Sequence, residues 1–122
     1  MAQEKIKAAA YLVLLLAATP VQADFDDGHA LLEKWRAYQK YEQGSREAVT
    51  CLRTQYYLAY IAGVSDSLRG IAFELPAGVT LGQLATIVGE YLDANPGEWH
   101  LPAKILINRA LKNMFPKKDV AP

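Results

Sequence analysis

Apolar positions recur at spacings of three and four over four separate stretches of this chain, and no stretch alternates with period two over a useful length. The first stretch opens at His29 and sets Leu31, Leu32, Trp35 and Tyr38 on one face, with Glu33, Lys34, Arg36 and Lys40 on the rest. Asp26 or Asp27 is placed to cap it, and Gly44 suits a left-handed residue just past its end. The second stretch, from 45 to about 70, is the longest and most apolar, and it reads as the central helix. Ser45 is its expected cap, with Glu47 at the positive end of the helix dipole. Its buried stripe is predicted as Val49, Leu52, Tyr56, Tyr60, Val64 and Leu68, widened by Ala59, Ile61 and Ile71. Gly63 costs such a helix about 1 kcal/mol relative to Ala. Close packing of another helix over Ala59 and Gly63 would offset that cost.

A turn follows at Pro76 and Gly78, one fixing φ and the other permitting a positive value. Thr80 then stands where an N-cap belongs, and Gln83 is spaced to reach back to the Thr80 amide and complete a capping box. Leu81, Leu84, Val88, Tyr91 and Leu92 carry the third helix to about Ala94. Pro96 disfavours helix at Asn95, so the chain breaks there. Asn95 and Glu98 have the spacing to cap a short turn. Pro102 suits the first residue of a last helix, whose mixed face is Ile105, Leu106, Arg109, Ala110, Met114 and Phe115. Residues 117–122 have nothing to pack with and are expected to fray. The expected fold is all-α, a small bundle of four main helices with short connections that make sequential helices antiparallel neighbours.

The first 23 residues stand apart from this pattern. Lys5 and Lys7 precede an uncharged apolar run from Ala8 to Ala18, and Val21 and Ala23 are small residues at −3 and −1 of a cleavage site before Asp24. The run is shorter than the ~20 residues of a spanning helix. A cleavable signal peptide at 1–23 and a periplasmic location are therefore expected, with one helical domain at 24–116 and a flexible tail at 117–122. Without residues 1–23 the chain has 13 − 2 = 11 Lys and Arg against 13 − 1 = 12 Asp and Glu, a net charge near −1. No basic cluster is present to neutralise phosphates, so nucleic acid is not an expected partner. After signal cleavage no membrane association is expected either. Cys51 is the only cysteine, so no intrachain disulfide can form. It is either buried or open to an intermolecular bond.

The residues offer little chemistry. His29 and His100 lack a second ligand-type residue at i+3 or i+4, so no metal site is expected. Cys51 has no histidine near it in sequence, and a nucleophile needs a base and an orienting group. Gly78 and Gly82 lack the strand and spacing of a phosphate loop. No catalytic residue and no cofactor is expected, and the chain reads as a binding protein. The candidate contact surface lies between the third and fourth helices, where Asp93, Asn95, Glu98, Trp99 and His100 share a loop stiffened by Pro96 and Pro102. Aromatic and polar groups on a rigid loop make a protein hot spot. Trp99 either plugs the end of the bundle or is presented outward.

Several blocks resemble one family. YIAGVSDSL at 60–68, LPAGVTLGQL at 75–84, YLDANP at 91–96 and HLPA at 100–103, with the closing Ala110-Leu111 and Phe115-Pro116, resemble the periplasmic type VI secretion amidase-immunity proteins (the Rap/Tai immunity family). The likeness spans roughly residues 29–117. It implies an all-helical periplasmic protein, often a homodimer, that blocks a peptidoglycan-cutting amidase by occupying its substrate groove. Such an inhibitor needs no catalytic residues of its own. Relatives commonly carry cysteines at the positions of Trp35, Tyr57, Glu74 and Lys117, all absent here. The bulk of Trp35 and Tyr57 is expected to compensate by packing, with Glu74 and Lys117 facing water or each other. The alternative function is a general periplasmic interaction or chaperone-like helical module.

Overall fold

A computed structural model describes residues 25–118; the expected signal peptide at 1–23 and the last tail residues, 119–122, lie outside the described residues. Four helices make up the bundle: α1 (Gly28–Glu42), α2 (Ala48–Leu68), α3 (Leu81–Ala94) and α4 (Ala103–Met114), with a 3₁₀ turn at Pro96–Glu98 before α4. Among the described residues there is no sheet, only isolated bridges such as Phe73 with Pro116. The all-α expectation holds.

Local chemistry places most of the helix ends. Asp27 caps α1 by accepting from the Ala30 amide at 2.9 Å, and Gly44 beyond its far end has φ +107°. The box at α3 is complete: the Gln83 amide donates to Thr80 Oγ1 at 3.2 Å, and the Thr80 amide donates to Gln83 Oε1 at 2.8 Å. Gly78 supplies the positive φ in the turn before it. At α4, Pro102 sits one place earlier than expected, as the N-cap rather than the first helical residue. Ser45 does not cap α2. That helix begins after Glu47, which makes no side-chain cap, while the Ser45 amide closes the preceding turn onto the Lys40 carbonyl.

The core is shared by all four helices. Leu31, Trp35 and Tyr38 of α1 meet Tyr57 and Ile61 of α2, Leu84, Val88 and Leu92 of α3, and Leu106, Ile107 and Leu111 of α4. Phe73, from the connection after α2, is fully buried among them. Burial of one such side chain stabilises by about 1.5–3 kcal/mol. Trp35, Tyr38 and Tyr57 form an aromatic triangle with ring centroids 5.7–6.0 Å apart. Trp35 and Tyr57 thus pack against each other in the core, as expected. Glu74 and Lys117 are exposed; the Glu74 amide donates to the Phe115 carbonyl at 3.2 Å, holding the chain end in place.

The central helix is turned differently from the expected stripe. Its buried face is Thr50, Thr54, Tyr57, Ile61 and Ser65. Val49, Leu52 and Tyr56 are 49%, 72% and 47% exposed, and Ala59 and Gly63 lie on the surface beside them. The helix is apolar nearly all round, so hydropathy alone gives its faces no preferred direction. Thr50, Thr54 and Ser65 go inward with Tyr57 and Ile61, and the hydroxyls of Thr54 and Ser65 are buried without a hydrogen-bond partner among the described residues. No neighbouring helix packs over Gly63; a Cβ added there would meet nothing within 4 Å. Cys51 is half-buried.

Candidate functional site

The segment joining α3 to α4 is fastened at nearly every residue. The Trp99 indole N–H donates to the Leu92 carbonyl at 2.8 Å, and the Trp99 carbonyl accepts from the His29 amide at 3.1 Å. The Trp99 ring is half-buried against the core and meets the His29 ring edge-on at 5.9 Å. Trp99 therefore plugs the end of the bundle. The Gly28 amide donates to the Leu101 carbonyl and the Ala103 amide to the Asp26 carbonyl, each at 2.9 Å, so the segment is laced to the start of α1. Proline at 96 and 102 removes two donors and fixes two φ angles, which limits what else the turn can adopt.

The other candidates are also held from inside. Asp93 accepts from the Trp35 indole N–H at 3.1 Å and pairs with Arg36 at 2.8 Å. Asn95 does not cap the 3₁₀ turn with Glu98 as the spacing suggests. Its side-chain amide instead donates back to the Tyr91 carbonyl at 2.8 Å. Glu98 pairs with Arg109 and accepts from the Tyr91 hydroxyl at 3.0 Å. Hydrogen bonding from Arg109, then from Tyr91, holds the Glu98 carboxyl below its ordinary range. His100 points its exposure to solvent, as do Pro96 and Gly97. The five sequence candidates thus share one region: four of them fix its shape, and His100, Pro96 and Gly97 form its outer edge.

A second feature had no sequence signal. The turn before α3, α3 itself and the end of α4 enclose an open groove of about 770 Å³, lined by Tyr38, Val79, Thr80, Ile87, Met114 and Phe115 and by no charged side chain. Its residues come from three distant segments, which periodicity cannot bring together. No group of three or more His, Cys, Asp or Glu suited to a metal occurs among the described residues. No helix among them is long and apolar enough to cross a membrane.

The turn is held rigid on a four-helix scaffold, with His100, Pro96 and Gly97 exposed at its edge. The chain matches the family model of the Rap1a immunity proteins over residues 27–116, and it belongs to that family. No curated protein and no solved structure matches it. Members of an immunity family act by binding a protein effector.

Proposed function

We propose that this chain is an exported, non-catalytic inhibitor that binds a peptidoglycan-cutting amidase in the periplasm and occupies its substrate groove. In this reading residues 1–23 direct export, and the protein acts as a homodimer. The turn over residues 95–101 makes the contact, with His100, Pro96 and Gly97 at its tip and Asn95, Glu98, Trp99 and, from the last turn of α3, Asp93 holding its shape.

The single observation behind this reading is the fastening of that turn. A loop entering an enzyme groove loses binding energy if it must first be ordered, and one already held by Trp99, Glu98 and two prolines avoids that loss. Gly97 supplies a direct test, because a side chain added there meets nothing within 4 Å and the fold has no reason to resist it. Co-expression should protect cells from the amidase encoded beside this chain. Gly97→Arg should leave the protein folded and weaken both protection and complex formation by at least tenfold. An unaltered complex would rule out this turn as the contact.

A further inference from the structure

The groove beside the turn at Pro76 and Gly78 has one polar corner, built around Gly82. A Cβ placed on Gly82 would lie 3.4 Å from the Tyr38 hydroxyl and 3.9 Å from Thr80 Oγ1, so two hydroxyls converge on a space the glycine leaves open. Tyr38 is only 9% exposed, yet its hydroxyl makes no hydrogen bond among the described residues, and it lines the groove. Burial, and then the charge of Glu42 in an adjoining hollow, raise the Tyr38 phenol above its ordinary value, so it enters the groove as a donor. The acceptors at this corner are already engaged. Thr80 Oγ1 accepts from the Gln83 amide, Gln83 Oε1 from the Thr80 amide, and the Gly82 carbonyl from the Thr86 hydroxyl at 3.1 Å. What remains is donors: the Tyr38 and Thr80 hydroxyls, the Gln83 side-chain N–H groups and the Gly82 amide, which in the first turn of α3 has no acceptor within its helix. That helix end carries partial positive charge, and no acidic side chain lines the groove. Away from this corner the walls are Val79, Ile87, Met114 and Phe115.

We infer that this groove binds a small monocarboxylate carrying an apolar chain. The carboxylate sits in the Gly82 cradle and accepts from the Tyr38 and Thr80 hydroxyls beside the Gly82 amide. The chain lies along Val79, Ile87, Met114 and Phe115. Each part of the ligand answers a separate feature of the site. A carboxylate offers acceptors alone, which matches a corner whose free groups are donors. The α3 N-terminus favours an anion, and the apolar walls favour a hydrocarbon body. A peptide backbone would bring amide donors as well, and the acceptors beside the cradle are taken. The volume of about 770 Å³ lies within the range of small-molecule sites, about 300–1,000 Å³. None of the lining residues belongs to the turn over 95–101 that is proposed to meet the amidase.

Amide NMR of the purified protein, titrated with sodium octanoate to about 10 mM, tests the site. The Gly82 amide should shift and saturate, with a Kd of about 1 mM or tighter. Octanol has the same chain length without the charge and should bind at least tenfold more weakly. Gly82→Ala fills the cradle at an ordinary contact distance and favours helix over glycine, so the fold is kept while octanoate affinity falls at least tenfold. Tyr38→Phe removes a hydroxyl that has no partner within the fold and should weaken octanoate similarly. Circular dichroism checks that both variants stay folded. Absence of a saturable Gly82 shift up to about 10 mM overturns the site. Octanol binding as tightly as octanoate overturns the carboxylate. Wild-type affinity in Gly82→Ala overturns its place in the cradle, and wild-type affinity in Tyr38→Phe overturns the part given to that hydroxyl.

Discussion

Trp35 lies directly against Gly89, so closely that a methyl group added to the glycine would fall 2.2 Å from two carbons of the indole ring. The contact seats α3 on α1 and lets the Trp35 indole N–H reach Asp93 one turn further along. Gly89→Ala forces the ring or the helix to move. Overpacking of this kind costs about 1–3 kcal/mol. In a domain of this size each kcal/mol lowers the midpoint by about 4–8 °C. Thermal unfolding followed by circular dichroism should show that drop.

Tyr57 is fully buried and donates to the Ala85 carbonyl at 2.6 Å. Burial, reinforced by the neighbouring Tyr38 and Asp93, raises its phenol above the ordinary value of 10.0. Above about pH 10 the unfolded chain gives up this proton while the folded chain keeps it. Stability is therefore complete below that pH and falls as the pH rises through it. Tyr57→Phe should lose about 1 kcal/mol at pH 7 with the hydrogen bond. Its stability should also decline less steeply between pH 10 and 11 in urea titrations, with the residual slope coming from Tyr38 and Tyr91, both shifted upward by burial.

Thr80→Ala should cost about 1 kcal/mol, since it removes one bond of the capping box and unseats its reciprocal partner. Urea unfolding of the two proteins measures the difference directly, and a loss below about 0.3 kcal/mol would show that the cap is dispensable.

Glu98 anchors the turn through Arg109 and Tyr91, and these bonds depress its ionisation. Its contribution is present at neutral pH and is lost as the pH falls through the folded value, below the ordinary carboxylate range. Glu98→Gln should therefore loosen the turn at pH 7, and in the wild type the same loosening should develop only under acid conditions. Hydrogen exchange at the Trp99 indole, which is bonded to Leu92, reports both.

Where capping residues and turn formers act locally, the fold was legible from the chain: Asp27, Gly44, Gly78 and the Thr80–Gln83 box all do what their spacing implies. The orientation of α2 was not. Its apolar residues run nearly all round, so hydropathy gave it no direction. Thr50, Thr54 and Ser65 are buried beside Tyr57 and Ile61, while Val49, Leu52 and Tyr56 face out. The segment holding Asn95, Glu98, Trp99 and His100 was found by composition, while Asp93, expected on the same loop, lies in the last turn of α3. Its fastening to Arg109, Tyr91, Trp35 and His29 was not, because these partners come from other helices or from non-helical spacings. The 770 Å³ groove is hidden from sequence for the same reason.

Titration calorimetry of the purified protein against the proposed amidase partner, with peptidoglycan hydrolysis assayed in the same mixtures, tests the central claim most directly. A stoichiometric complex that abolishes hydrolysis, and that Gly97→Arg weakens at least tenfold, is the predicted result. An amidase that cuts at full rate beside an excess of this protein, with no heat of binding, would contradict it.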